Sequence, residues 1–356
     1  RAAGLLVQND SVAVHQHMAE ELSAQGVIMT DMDTAVQQHS ELVQEHFMAG
    51  GMSFAEDRFV ALQGALWSGG LFLYVPKNVE VKLPFYFYQA LTRQDGMVHP
   101  YHLVILESGA VATLYEEYAS PSDDQDAGAH PYSGANTLMH LKDGSHLRLI
   151  VVQRWGTNVT EVSKHQALVG RDARFSGTSA LIGGGKVNTR VRAELRGQGA
   201  HSEMHTLVLA AGKQHIDVVN ENRHHNANTH GDMIAKQVLR DTCRTAFQGL
   251  IYIDENSPQS TDYLTENALV LDRGARADAI PGLEILNDDV QASHGATVGQ
   301  LDEEQIFYLM ARGIPRGEAE MLIVNGFFAP LLQRVPEEDT RDRLARFIQA
   351  KIKRES

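Results

Sequence analysis

The stretch that decides the fold is residues 142–151, which read KDGSHLRLIV. It begins with the turn Asp143-Gly144-Ser145 and continues as a short strand in which Leu147, Leu149 and Val151 occupy alternate positions. Alternation with a period of two is typical of a strand that buries one face. The same arrangement, a turn that ends in a small residue and is followed by a strand, recurs at Ala110, Ser145, Ala173, Ala200 and Ala275.

These small residues lie 35, 28, 27 and 75 positions apart. A solenoid explains the spacing, because each turn of short strands buries its apolar face only against neighbouring turns and small residues permit tight corners. A β-sandwich with turns every ~8–12 residues would leave a similar pattern. From the residues alone we favour the solenoid and keep the sandwich as the alternative.

Helical patterns flank this region. Apolar spacing predicts helices over 33–47 and 54–67, and the β-prone run Leu71–Val75 follows. After residue 300 the spacing predicts a helix from Asp302 to Gly313, a second one after Pro315 and a last one over 336–353. We expect Asp302 and Gln305 to form a capping box, and the apolar residues of the second helix to face inward, namely Met321, Leu322, Val324 and Phe328. The domains that we predict are an N-terminal mixed helical segment (1–70), a β-helix core (71–300) and a C-terminal helical domain (301–356).

Composition narrows the function. The chain has 31 basic and 45 acidic side chains, a formal charge of −14, which argues against a nucleic-acid groove. No stretch approaches the ~20 apolar residues of a membrane span, and residues 1–10 lack the apolar core of a signal peptide. We therefore expect a cytoplasmic protein with no nucleic-acid and no membrane partner. Cys243 is the single cysteine, so one chain makes neither a disulfide nor an all-cysteine metal site.

Histidine is abundant, with 17 residues. His201 and His205 share a face if they lie on a strand, and His224, His225 and His230 form the densest group. Imidazoles bind transition metals. Each group is a candidate metal site, with ordinary core, surface or loop histidines as the alternative.

Several segments resemble the SufB/SufD family of iron–sulfur cluster assembly proteins. The most extensive is NDDVQASHGATVG at 287–299, which runs into LDEEQIFYLMARGI at 301–314. Shorter ones are found, in the same order as in the family, at 59–62, 67–70, 74–77, 114–118 and 276–284. The resemblance implies a mainly β fold, a right-handed parallel β-helix core flanked by N-terminal α/β and C-terminal helical segments.

The resemblance also implies a function. The chain would be a non-catalytic scaffold subunit that pairs edge to edge with SufB, or with a second copy of itself, and binds the ATPase SufC through its C-terminal helices. A transient iron–sulfur cluster or iron would be held at the subunit interface, with none bound tightly by the isolated chain. The positions expected to contact the ATPase are Asp302, Gln305, Ile306, Tyr308, Leu309, Arg312, Met321, Asn325 and Phe327.

The resemblance also implies candidate site residues, taken from the positions that match the family's motifs. The histidine of the Ser-His-Gly-Ala-Thr motif is His294, the candidate ligand for iron or a cluster at the interface. Glu266 stands where SufB has its essential cysteine, which favours the SufD branch of the family. The resemblance also matches Gln153, Trp155 and Lys164 to family positions along the β-helix interior. In SufB these positions are linked to a route for sulfur.

Two alternatives stay open. Parallel β-helices also house carbohydrate-active enzymes, an analogy from fold alone. A SufB-like homodimer would need Cys243 or Glu266 in place of the missing cysteine. Otherwise we expect Cys243 to be a buried apolar thiol.

Overall fold

The computed structural model describes residues 2–51, 57–120, 130–335 and 338–352, and the chain forms two long β-sheets. The first sheet has the spatial order β2-β1-β5-β8-β10-β12-β14-β16-β18-β20 and contains β1 (Gly4–Asn9), β2 (Val12–Met18), β5 (Phe85–Ala90), β8 (Val111–Ala119), β10 (His146–Arg154), β12 (Arg174–Leu181), β14 (His201–Ala210), β16 (His230–Leu239), β18 (Ser260–Val270) and β20 (Val290–Gln300). The second has the order β19-β17-β15-β13-β11-β9-β7-β4-β3, with β6 beside β9, and contains β3 (Ile28–Asp31), β4 (Leu71–Val75), β6 (Met97–Val98), β7 (Tyr101–Leu106), β9 (Tyr132–Leu141), β11 (Thr160–Val169), β13 (Lys186–Leu195), β15 (His215–His224), β17 (Arg244–Ile253) and β19 (Arg276–Ile285).

From β7 onward, consecutive strands alternate between the two sheets, and neighbours within each sheet are parallel and in register. In the first sheet, register partners follow one another at His146, Arg174, His201, His230 and Thr261, which are 28, 27, 29 and 31 residues apart. This is a parallel β-solenoid, so the predicted mainly β fold is confirmed and the sandwich alternative is wrong.

The small residues of the recurring turns occupy buried corners. Ala110, Ser145, Ala173 and Ala200 each precede a strand of the first sheet and have no exposed surface. Ala275 precedes β19 of the second sheet, which is why its spacing of 75 breaks the period. The alternating side chains follow the same logic: Leu147, Leu149 and Val151 point into the interior, while Ile150 and Val152 belong to a separate cluster on the outer face.

The described N-terminal residues, 2–51 and 57–70, contain four short helices, namely α1 (Glu20–Ala24), α2 (Met32–Gln38), α3 (Ser40–His46) and α4 (Arg58–Leu66). The single helix predicted over 33–47 is wrong, because the chain breaks at His39 into two helices. The start of the helix predicted over 54–67 falls at 54–56, outside the described residues. Gln63 of α4 donates to Val162 O at 3.0 Å and Ala135 O at 3.3 Å, which holds α4 on the second sheet. The sequence did not predict the antiparallel hairpin of β1 and β2.

After the solenoid, the described ranges 301–335 and 338–352 contain three helices, α5 (Glu303–Met310), α6 (Arg316–Leu332) and α7 (Glu338–Ile352). The predicted helix boundaries at 336 and 353 lie outside the described residues. Val324 and Phe328 of α6 are buried, as predicted, and they pack against the outer face of the first sheet. Leu322 is 51% exposed, so its predicted inward orientation is wrong. Asp302 caps α5 through Glu304 N at 2.9 Å, not through the predicted partner Gln305.

Basic side chains fasten these helices to the strands. Lys351 Nζ donates to Leu209 O at 2.7 Å, and Lys236 Nζ donates to Phe327 O at 2.6 Å. Arg343 of α7 pairs with Glu117 of β8. The C-terminal helices α6 and α7 are therefore anchored along the outer face of the first sheet. The last strand of that sheet, β20, lies beyond the strands to which they are anchored.

Candidate functional site at the open end of the solenoid

The solenoid ends at β19 and β20, which are the outermost strands of the two sheets at this end. Within the described residues, no strand lies beyond them. As a result, apolar side chains in inward-facing positions are partly open to solvent: Leu283 and Ile285 are 39% and 38% exposed, and Val298 is 51% exposed. Unpaired edges of this kind are templates for another strand. We call the surface formed by β19 and β20 the open end.

His294 lies on β20 in register with Leu264 of β18. Leu264 belongs to the interior core, so His294 continues an inward-facing row of the first sheet. Because no further turn covers it, the imidazole is exposed. Within the described part of the chain, the His294 side chain makes no hydrogen bond or ion pair. An exposed imidazole at a free strand edge can bind iron together with ligands from a second chain.

Glu266 lies one strand further in. It is fully buried on β18, in register with Ala296, two residues along β20 from His294. Gln237 Nε2 donates to Glu266 Oε1 at 2.7 Å. Burial raises the pKa of this carboxyl to about 8, so it holds its proton near neutral pH. Glu266 is thus a buried neutral acid beside the open end.

Of the three predicted interior residues, Gln153 and Trp155 lie in the interior and Lys164 does not. Gln153 is buried inside the solenoid, where its Nε2 donates to Glu161 Oε2 at 2.7 Å and its Oε1 accepts from Gly183 N at 2.8 Å. Trp155 belongs to the same interior core. Lys164 is buried too, but its side chain points to the same face of β11 as that of Leu168, four residues further along the strand. Leu168 packs with the N-terminal helices, so this face is the one opposite to the interior. The interior location expected for Lys164 is wrong, because its strand presents Glu161, Ser163 and His165 to the interior.

Another buried acid, Glu116, lies in the interior and was not predicted from the sequence. His102 Nδ1 accepts from Leu71 N at 3.0 Å, so Nε2 carries the proton and donates to Tyr118 Oη at 3.1 Å. Tyr118 in turn donates to Glu116 Oε2 at 2.8 Å. Burial raises the pKa of Glu116 to about 7 and lowers the pKa of His102 to about 3. The alternation that placed strands could have indicated Glu116, because it is an acid at an inward position.

Cys243 forms part of the interior core and has no exposed surface. Burial raises the pKa of its thiol. The prediction of a buried apolar thiol is confirmed.

The histidine groups singled out in the sequence are separated by the strands. His224 faces the interior, with Nε2 2.9 Å from Asp262 Oδ2, whereas His225 lies 2.6 Å from Glu194 Oε2. His230 is on β16, in register with His201. His205 contacts Arg334, with Nε2 2.8 Å from the guanidinium. In the described part of the chain, no three His, Cys, Asp or Glu side chains are already grouped around a metal position.

The residues predicted to contact the ATPase fall into two sets. Exposed ones on or beside α5 are Asp302, Gln305, Tyr308 and Arg312, and the Arg312 guanidinium lies 4.7 Å from the Tyr308 ring centroid. The others are half-buried or buried, namely Ile306, Leu309, Met321, Asn325 and Phe327. Met321 and Phe327 pack towards the solenoid.

The apolar side chains that α5 and α6 expose were not predicted from the sequence. Phe307 is 72% exposed, and Met310 and Leu322 are also exposed. Together with Tyr308 they form the apolar surface of α5 and α6, which is typical of a protein interaction site. The apolar residues next to Ile306 are the signal that could have shown it, since one short helix cannot bury them all.

No helix in the described ranges is long and apolar enough to cross a membrane. The chain matches two protein families in succession. Residues 2–86 match the family described as SufBD protein N-terminal region, and residues 89–327 match the SUF system FeS cluster assembly, SufBD core domain.

Curated relatives give the same result. The iron–sulfur cluster assembly protein SufD of Bacillus subtilis is 33% identical over 350 residues, which is 98% of this chain and 79% of that protein. SufB of the same organism is 29% identical over 336 residues, covering 94% of this chain and 71% of the relative. A SufBD family protein of Staphylococcus epidermidis has the same identity and coverage. The chain therefore belongs to the SufB/SufD family of iron–sulfur cluster assembly proteins.

Proposed function

We propose that this chain is a non-catalytic, SufD-like scaffold subunit of cytoplasmic iron–sulfur cluster assembly. The observation that carries the proposal is the match of residues 2–86 and 89–327 to the two SufBD families. It favours cluster assembly over the carbohydrate-active alternative, which had only the fold in its support. Glu266 at the position of the SufB cysteine, and the burial of Cys243, favour a SufD-like subunit over a SufB-like homodimer.

The open end is the surface that we assign to pairing with SufB, or with a second copy of the chain. Its support is the combination of two unpaired strand edges with exposed apolar side chains such as Leu283 and Val298. Val298→Lys places a charge in this surface and should abolish pairing, measured by light scattering of the co-expressed subunits. Val12→Lys is the matched control, because Val12 is also exposed but lies on β2 at the other end. Equal pairing in both variants would refute the assignment.

The apolar surface of α5 and α6 is assigned to SufC. Removing the whole segment after Asp302 would also strip α6 and α7 from the first sheet, so a point substitution is the sharper test. Phe307→Asp should abolish co-purification with the ATPase and leave the thermal unfolding temperature unchanged, since Phe307 is largely exposed. Full recovery of SufC with this variant would overturn the assignment.

Iron or a nascent cluster is the cargo of the assembled complex, and His294 is the ligand that this chain supplies. His294→Ala should lower the iron retained by the complex without lowering the yield of the complex. His15→Ala, an exposed histidine on β2, is the control. Equal iron in both variants would leave His294 as an ordinary interface residue.

A further inference from the structure

Three side chains with metal-binding atoms lie on the outer face of the first sheet, away from the open end. His201 and Glu203 alternate along β14 on the side opposite to the interior residue Met204. His230 is the register partner of His201 on β16. Parallel pairing therefore places two imidazoles and one carboxylate next to each other, although 29 residues separate the histidines in sequence.

We propose that His201, Glu203 and His230 form a binding site for one divalent first-row transition-metal ion. Two imidazoles and one carboxylate are a donor set suited to Fe²⁺ or Zn²⁺, with the remaining positions taken by water. The proposal does not depend on the function proposed above.

The His201–Glu203 pair already has a chelating geometry. His201 Nε2 lies 3.1 Å from Glu203 Oε1. Two ligand atoms on one tetrahedral ion are roughly 3.3 Å apart, because each lies about 2.0–2.1 Å from the metal. Both side chains are partly exposed, so an ion can reach them from solvent.

His230 supplies the third donor after a small movement. Its ring centroid is 6.1 Å from that of His201, whereas two imidazoles on one tetrahedral ion have centroids roughly 5 Å apart. His230 Nδ1 lies 2.9 Å from Thr261 Oγ1, which leaves Nε2 for the metal and orients the ring. Metal-bound histidines usually have such a partner on the second nitrogen. As they stand in the described part of the chain, the three groups do not surround one metal position. Binding therefore requires a rotation of the exposed His230 side chain.

The charged side chains around the proposed metal site have opposite effects on cation binding. Arg174 is the register partner of His201 on its other side and disfavours a cation. Asp232 is the register partner of Glu203 and favours one, but it is paired with Arg334 at 3.2 Å. Glu203 is therefore the carboxylate that attracts a cation to this site, and removal of the Arg174 charge should strengthen metal binding.

The chain contains a matched control. On β15, His215 Nε2 lies 3.1 Å from Asp217 Oδ1, the same spacing and the same distance as in the His201–Glu203 pair. The register partners of His215 are Lys186 and Arg244, so this pair has no second imidazole and two cations beside it. It should not bind a metal ion with comparable affinity.

The test is titration of the full-length chain with Zn²⁺ by calorimetry, and with Co²⁺ by visible absorption. His201→Ala, His230→Ala and Glu203→Gln should each weaken binding by more than the roughly tenfold that follows loss of an outer partner, as expected for Thr261→Val. Arg174→Ala should tighten it by up to about fivefold.

His215→Ala and His294→Ala should leave this binding unchanged, which separates it from the metal role proposed for the open end. Circular dichroism verifies that each variant is folded. Unchanged affinity in either His201→Ala or His230→Ala, or an equal loss in His215→Ala, would overturn the proposal.

Discussion

Glu116→Gln should remove a specific part of the pH dependence of stability. Burial raises the pKa of Glu116 from 4.5 to about 7 in the folded chain. Between these two pH values the unfolded chain has lost this proton while the folded chain keeps it. Folding stability from this group is therefore fully present below pH 4.5 and falls as the pH rises towards 7.

The expected size follows from the two pKa values. At 1.36 kcal/mol for each pKa unit, the loss between pH 4.5 and 7 is about 3 kcal/mol. His102 and His165 act in the opposite direction, because burial lowers their pKa values to about 3 and about 4 and stability from them rises with pH up to 6.5. Both histidines remain in the variant, so the difference between wild type and variant isolates Glu116.

Urea unfolding followed by tryptophan fluorescence is the assay. Trp155 lies 5.8 Å from Tyr118, ring centroid to centroid, and reports on this part of the interior when Trp67 is replaced by Phe. Glutamine keeps an acceptor for Tyr118, and any cost of its buried amide is independent of pH. The stability of wild type relative to the variant should fall by about 3 kcal/mol from pH 4.5 to 7. Parallel pH curves for the two proteins, or the same change in the exposed-site control Glu255→Gln, would refute this reasoning.

Three further substitutions test the packing. Phe328→Ala should destabilise the contact of α6 with the first sheet by about 3–5 kcal/mol and speed proteolysis of the C-terminal helices, because the ring is fully buried. Gly70→Ala should lower the thermal unfolding temperature, with a cost of more than about 1 kcal/mol, since φ is +117° and a Cβ would lie 2.0 Å from Tyr101 O. His224→Ala should cost about 1–3 kcal/mol by urea unfolding, because it leaves the buried Asp262 carboxyl with Asn222 as its one remaining side-chain partner among the described residues.

Each of the three has a matched control in the chain. Leu322→Ala removes an exposed side chain from the same helix as Phe328, and Gly317→Ala adds a Cβ that meets no atom within 4 Å apart from its chain neighbours and the backbone of its own helix. His225→Ala removes the neighbouring, half-buried imidazole. Equal effects of a substitution and its control would show that the assigned contact is not the cause.

The turns made the solenoid predictable. The buried corners require small side chains, and these recur in the sequence of the turns. They can be recognised without knowing which residues pack against them. Cys243 fits the same rule, since it stands directly before β17 as Ala275 stands before β19. Its burial could be predicted for that reason.

Faces and partners were less predictable. Lys164 was assigned to the wrong side of β11, because a family position identifies a residue but a one-residue difference in parity reverses its direction. The proximity of His201 and His230 depends on the register of β14 and β16, which the local sequence does not contain. Helical spacing predicted α6, but not the outer face of the first sheet as its packing partner.

The two ends of the solenoid differ in strand direction. At the open end, β20 continues the parallel stack, whereas at the other end β2 runs antiparallel to β1 and β3 runs antiparallel to β4. Head-to-tail addition of copies would have to join unlike ends, and a repeated contact of that kind generates fibres. Contact between two open ends uses each free edge once and closes after two chains. If the open ends pair as proposed above, neither chain keeps an open end for a third one, and a fold built by repetition within one chain would end its growth at two chains.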